Sequence, residues 1–80
     1  MLNLEVQKID KIKAFKKRIE SFKNIKTLKE AKSLAEKILP TANEINKFYV
    51  GDAKCIIINN EDMLRISFDT AEEFICYNFV

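Results

Sequence analysis

The side chains that could do chemistry in this sequence are two cysteines, twelve acids and fourteen basic residues; there is no histidine. Histidine is the side chain that titrates near neutrality and the commonest metal ligand, so its absence removes a whole class of sites. Cys55 and Cys76 stand 21 positions apart, a spacing that fits no thiol redox motif and no zinc knuckle. The paired carboxylates Glu61–Asp62 and Glu72–Glu73 are the remaining route to acid–base work, but no nucleophile–base pair or metal set accompanies them. The sequence therefore predicts no catalytic residue, no metal ligand and no cofactor, and a protein that is not an enzyme. Both cysteines lie in apolar surroundings, which predicts small core thiols kept reduced in a cytosol.

Binding is the chemistry left. Residues 1–40 hold eleven basic and five acidic side chains, a net +6; residues 41–80 hold three basic and seven acidic ones, a net −4. The overall +2 thus conceals a basic half and an acidic half, and opposed fields of this kind orient encounters with partners. The basic patch is Lys13, Lys16, Lys17, Arg18 and Lys23. It invites a reading as a non-specific nucleic-acid contact. Helical angles oppose that reading: at about 100° per residue, Lys13 and Lys16 fall on one flank of the apolar stripe, Arg18 on the other and Lys17 on the far side. The acidic patch is Glu61, Asp62, Asp69, Glu72 and Glu73, a set that suits a basic partner. Acids are also common in turns and in the first turn of a helix.

The elements that must position these groups come from periodicity and punctuation. Eighty residues with 48% apolar content, one glycine and one proline predict a single domain over residues 1–80 with short links. Three Thr-x-x-Glu boxes, Thr27–Glu30, Thr41–Glu44 and Thr70–Glu73, read as helix starts. A first helix is expected over Leu4–Lys23, with Asn3 as N-cap and Val6, Ile9, Ile12, Phe15, Ile19 and Phe22 on one face. A second starts at Leu28 and ends at Pro40, and the two form an antiparallel hairpin. A short third helix follows over Ala42–Tyr49. Strands are expected over Ala53–Ile58 and Met63–Phe68, with Asn60–Glu61 at the tip and Ile58 opposite Met63. One hairpin face then collects Ala53, Cys55, Ile57, Leu64, Ile66 and Phe68, all apolar. The Thr70 box predicts a closing helix from Ala71 to Asn78; the aromatic and β-branched residues of Phe74–Val80 make a third strand the alternative. The fold class expected is α+β.

The second hairpin face, with Ile56, Ile58, Met63 and Arg65, is left over for partner binding. The C-terminal element would cover it, or a second copy would pair with it as a homodimer, or a foreign target would dock there. No apolar run approaches the roughly 18–20 residues that span a bilayer, and Met1–Asp10, broken by Glu5 and Asp10, predicts no secretory signal. With twelve lysines to two arginines and eleven isoleucines, the composition suits an AT-rich coding genome. Small, dense chains of this kind resemble in general character the short inhibitors made by phages and mobile elements. The function expected is a cytoplasmic protein-binding module that occludes a surface of a larger host protein, the alternative being a nucleic-acid-associated protein.

Overall fold

Helical and strand periodicities divide the chain near Gly51, and the computed structural model, which describes residues 4–80, divides it there too. α1 (Leu4–Glu20) continues into a 3₁₀ turn (Ser21–Asn24). α2 (Leu28–Phe48) follows, and then β1 (Ala53–Asn59), β2 (Leu64–Thr70) and β3 (Phe74–Phe79). The strands form one antiparallel sheet in the order β1-β2-β3. Asn3, expected as a cap, lies outside the described residues. The Thr27 cap forms as expected: its hydroxyl accepts from the Glu30 N–H at 3.2 Å.

One face of the sheet is covered by both helices. Phe15, Ile19 and Phe22 from the first helical segment and Ala31, Ala35, Ile38, Ala42 and Ile45 from α2 are buried against Ala53, Cys55, Leu64, Ile66 and Phe68. Only the second half of the α1 stripe is used. Ile12 is half-buried, and Val6 and Ile9 are exposed.

The expected layout needs three corrections. First, Pro40 does not end a helix. The two helices expected on either side of it are a single α2 of 21 residues with Pro40 inside. A mid-helix proline costs about 3 kcal/mol, through a missing N–H and a clash with the carbonyl four residues earlier. The buried stripe Ala31, Ala35, Ile38, Ala42 and Ile45 runs straight past it, while Pro40 faces solvent. Burial along one unbroken stripe outweighs the local penalty.

Second, there is no C-terminal helix. Residues 74–79 form β3, hydrogen-bonded to β2, so the two-stranded hairpin is a three-stranded sheet. The Thr70 hydroxyl accepts from the Glu73 N–H at 3.2 Å, the same bond a helix cap makes. Here the Thr70 N–H also donates to the Glu73 carbonyl at 2.9 Å, which closes a hairpin instead of starting a helix. Thr41 is no cap either; it lies within α2, and its hydroxyl accepts from Arg18 at 2.9 Å.

Third, the β1–β2 register is two residues away from that expected. Ile58 pairs with Arg65 and Asn59 with Leu64. The Asn60 side chain accepts from the N–H groups of Asp62 and Met63 at 3.1 and 3.0 Å, so Asn60–Met63 make a longer turn that takes Met63 out of the strand. A slip of two leaves every side chain on its expected face.

Replacing Pro40 with alanine should restore the missing amide without touching the core. The unfolding free energy is expected to rise by about 1–3 kcal/mol, read from urea midpoints; an unchanged or lower midpoint would show that the ring stabilises the helix locally.

Candidate functional site

The sheet has two faces and the chain has two helices, both on the same side. The other face is built from alternate residues of the three strands, in rows set by the ladder: Lys54–Asp69–Phe74, Ile56–Ser67–Cys76 and Ile58–Arg65–Asn78. Among the described residues nothing covers it. Ile56, Ile58 and Phe74 are 45%, 44% and 60% exposed. Ser67 at the centre is nonetheless buried. Ile56, Ser67 and Cys76 make the middle row of the face, with Lys54 and Asp69 toward one end and Arg65 and Asn78 toward the other.

β3 does not fold across this face. It extends the sheet sideways and turns Ile75, Tyr77 and Phe79 inward, where Phe22 stacks on Tyr77 at 6.3 Å and leans on Phe79 at 5.8 Å. Of the residues proposed from sequence, Ile56, Ile58 and Arg65 lie on this open face, and Met63 lies half-buried in the β1–β2 turn. Phe74 and Cys76 belong to the face and were missed, whereas strand alternation already places Lys54 and Ser67 there. The strand alternation of Phe74, Cys76 and Asn78 against Ile75, Tyr77 and Phe79 was the signal that carried them.

The acidic patch is not one patch. Glu61 and Asp62 sit in the β1–β2 turn, whereas Asp69, Glu72 and Glu73 lie at the other end of β2. Seven strand residues at about 3.3 Å each hold the groups roughly 20 Å apart. The basic patch is partly spent inside the molecule. Lys16 forms an ion pair with Glu73 and lies 3.8 Å from Glu20; its pKa is raised, chiefly by the hydrogen bond to Glu73. Arg18 donates to the Thr41 hydroxyl and reaches the Lys37 carbonyl at 3.5 Å. Lys13, Lys17 and Lys23 are exposed.

Two shallow grooves flank α1. One, of about 450 Å³, lies against the β2–β3 turn and mixes Lys8, Lys13 and Lys16 with Asp52, Glu72 and Glu73. The other, of about 300 Å³, runs between α1 and α2. Neither is lined by a cysteine. Among the described residues, no cluster of three His, Cys, Asp or Glu side chains could hold a metal ion. No helix among them is long and apolar enough to cross a membrane.

The two sheet edges differ sharply. On β1, alternate backbone groups point away from β2, and three of them, at Ala53 and Cys55, are bonded by Asn46 of α2 and by Tyr49 just after it. Asn46 Nδ2 donates to the Cys55 carbonyl at 2.8 Å, and the Cys55 N–H donates to Asn46 Oδ1 at 2.7 Å. The side-chain amide thus stands in for a neighbouring strand. The Ala53 N–H donates to the Tyr49 carbonyl at 3.0 Å. Lys32 donates to the Asn59 side chain at 2.8 Å and to the Asn60 carbonyl.

Both cysteines are free thiols, and they occupy opposite faces of the sheet, so no bridge can join them within one chain. Burial pushes the Cys55 thiol up to about 11. Compared with protein-family models, with curated proteins and with solved structures, the chain matches none.

Removing the clamp in Asn46→Ala leaves two Cys55 backbone groups without partners; it should cost about 2 kcal/mol in a denaturant titration, and a change below about 0.5 kcal/mol would show that water replaces it. Near pH 8, a thiol reagent should modify Cys76 quickly and Cys55 only as the protein unfolds. Because the folded state holds the Cys55 proton more tightly, that group's stabilising contribution is intact below about 9, the ordinary thiol value, and is lost as pH rises through about 11. Rapid labelling of both thiols in the folded protein would contradict the burial of Cys55.

Proposed function

We propose that this chain is a non-enzymatic protein-binding module, and that it works by pressing the open face of its sheet onto a larger protein and occluding the surface it meets. The observation that carries this reading is the uncovered set Ile56, Ile58 and Phe74, three large apolar side chains around 40–60% exposed on one rigid face. Large apolar side chains left exposed on one sheet face suit an interaction site. Their rim sets the partner's chemistry: Lys54 and Arg65 outnumber Asp69, so the matching surface is an apolar patch edged with carboxylates. The free thiols suit a cytoplasmic setting. The lysine-rich, AT-type composition suits a small inhibitor of the phage or mobile-element kind. The nucleic-acid alternative has weaker support, because Lys16 and Arg18 are engaged with Glu73 and Thr41.

Affinity capture from the native host should enrich one protein in stoichiometric amount. Ile58→Asp and Phe74→Asp should abolish that capture and leave cooperative melting intact, because both side chains are already exposed. Lys17→Glu should leave the capture unchanged. Loss with Lys17→Glu and survival with the two face variants would move the interface to the helices and overturn the reading.

A further inference from the structure

The uncapped edge of the sheet carries an inference that stands apart from the docking of its open face. We infer that β3 is a self-pairing edge, and that two copies of this chain join through it, antiparallel, into one six-stranded sheet. The geometry of the ladder says which backbone groups are free. The Thr70 N–H points at Glu73, so by alternation Phe68, Ile66 and Leu64 also turn their N–H and C=O toward β3. Their partners Ile75, Tyr77 and Phe79 return those bonds. Phe74, Cys76 and Asn78 therefore aim their backbone donors and acceptors outward. The one hydrogen bond recorded at any of these three outside the ladder joins two side chains, Asn78 to Cys76.

β1 is occupied over its first half: the Ala53 N–H donates to Tyr49 and Asn46 binds both Cys55 backbone groups, while Lys32 holds the Asn59 side chain at the far end. Natural edge strands are commonly protected by lysine, proline, a bulge or a covering element. Among the described residues β3 has none of these: Phe-Ile-Cys-Tyr-Asn-Phe is uncharged, proline-free and rich in strand-forming residues. A strand with no charge meets its own copy without repulsion.

A second copy fits better than an arbitrary strand because the ends of β3 are electrostatically unlike. At its start stands exposed Glu72, beside Glu73, which is paired with Lys16. At its finish Phe79 packs on Phe22, and the next residue, Lys23, is exposed. Antiparallel pairing centred on Cys76 places Phe74 opposite Asn78 of the other copy. It also carries each acidic turn to the Lys23 end of its neighbour, twice over by symmetry. Because Asn46 and Tyr49 occupy the first half of the outer edge of β1, that edge offers a shorter run for pairing than β3, which favours closure at two chains over a fibre.

The test uses the purified chain alone, so it does not depend on capture of any host protein. By sedimentation velocity and light scattering from micromolar to millimolar concentration, the mass should rise from 9.3 kDa toward twice that value. Cys76→Lys sets two ammonium groups against each other on the two-fold axis. Cys76→Pro removes an outward N–H that makes no bond to β2. Both should stay at the mass of one chain with cooperative melting retained. Glu72→Lys and Lys23→Glu should each weaken association about three- to fivefold, and their combination should restore it. A single-chain mass at every concentration overturns the proposal. So does a dimer indifferent to both Cys76 variants, or one indifferent to the charge exchange.

Discussion

Phe15 stands edge-on to Phe68 with ring centres 5.1 Å apart, and seven residues later Phe22 lies against Tyr77 and Phe79. This aromatic seam fastens the first helical segment to β2 and β3. The alanine-lined stripe of α2 fastens the second to β1 and β2. A phenylalanine removed fully from water contributes roughly 2–3 kcal/mol, and Phe15, Phe22 and Phe68 are all among the fully buried side chains. In a domain of this size few other groups can supply as much. Committing those rings to one side of the sheet leaves no apolar element among the described residues to cover the other side. The open face is thus a direct result of where the core was placed.

The same economy explains the unequal edges. α2 runs beside β1 closely enough for Asn46 to reach its backbone and for Lys32 to reach the Asn59 side chain. The first helical segment crosses β3 through side chains alone, so it buries the inner ring faces and leaves the strand's outer rim wet. One side-chain amide with its donor and acceptor at 2.8 and 2.7 Å reproduces both bonds of a ladder pair. It therefore protects an edge at a cost of one residue.

How much of this was legible depended on whether local rules and burial agreed. The apolar faces of β1 and β2 were readable because the side-chain period of a strand is two, and that period survived a register error of two residues. The Leu28 start was readable because Thr27 bonds as its box implies. Pro40 misled because its local penalty is smaller than the gain from continuing a stripe that already fits the sheet. Thr70 misled because one hydroxyl-to-amide bond serves a helix cap and a hairpin turn equally well. What separates them is whether Phe74–Phe79 finds a partner strand, and that lies outside any short window. The site suffered accordingly: Ile56, Ile58 and Arg65 could be named from alternation, whereas Phe74 and Cys76 were hidden by the helix reading, and Met63 left the face with the longer turn. The acidic residues were close in sequence but divided by the length of β2.

Most contacts here join neighbours along the chain: α1 to α2, β1 to β2, β2 to β3, through connections of only a few residues. The exception is the aromatic seam. Phe15 meets Phe68, Phe22 meets Tyr77 and Lys16 meets Glu73 across more than fifty intervening positions. Closing a loop of that length costs about 3.5 kcal/mol in chain entropy before any constant term. The hairpins can assemble locally and quickly, since short-range topology favours speed. The return of the N-terminal segment onto the sheet therefore carries a larger loop-closure cost than any of the hairpin connections.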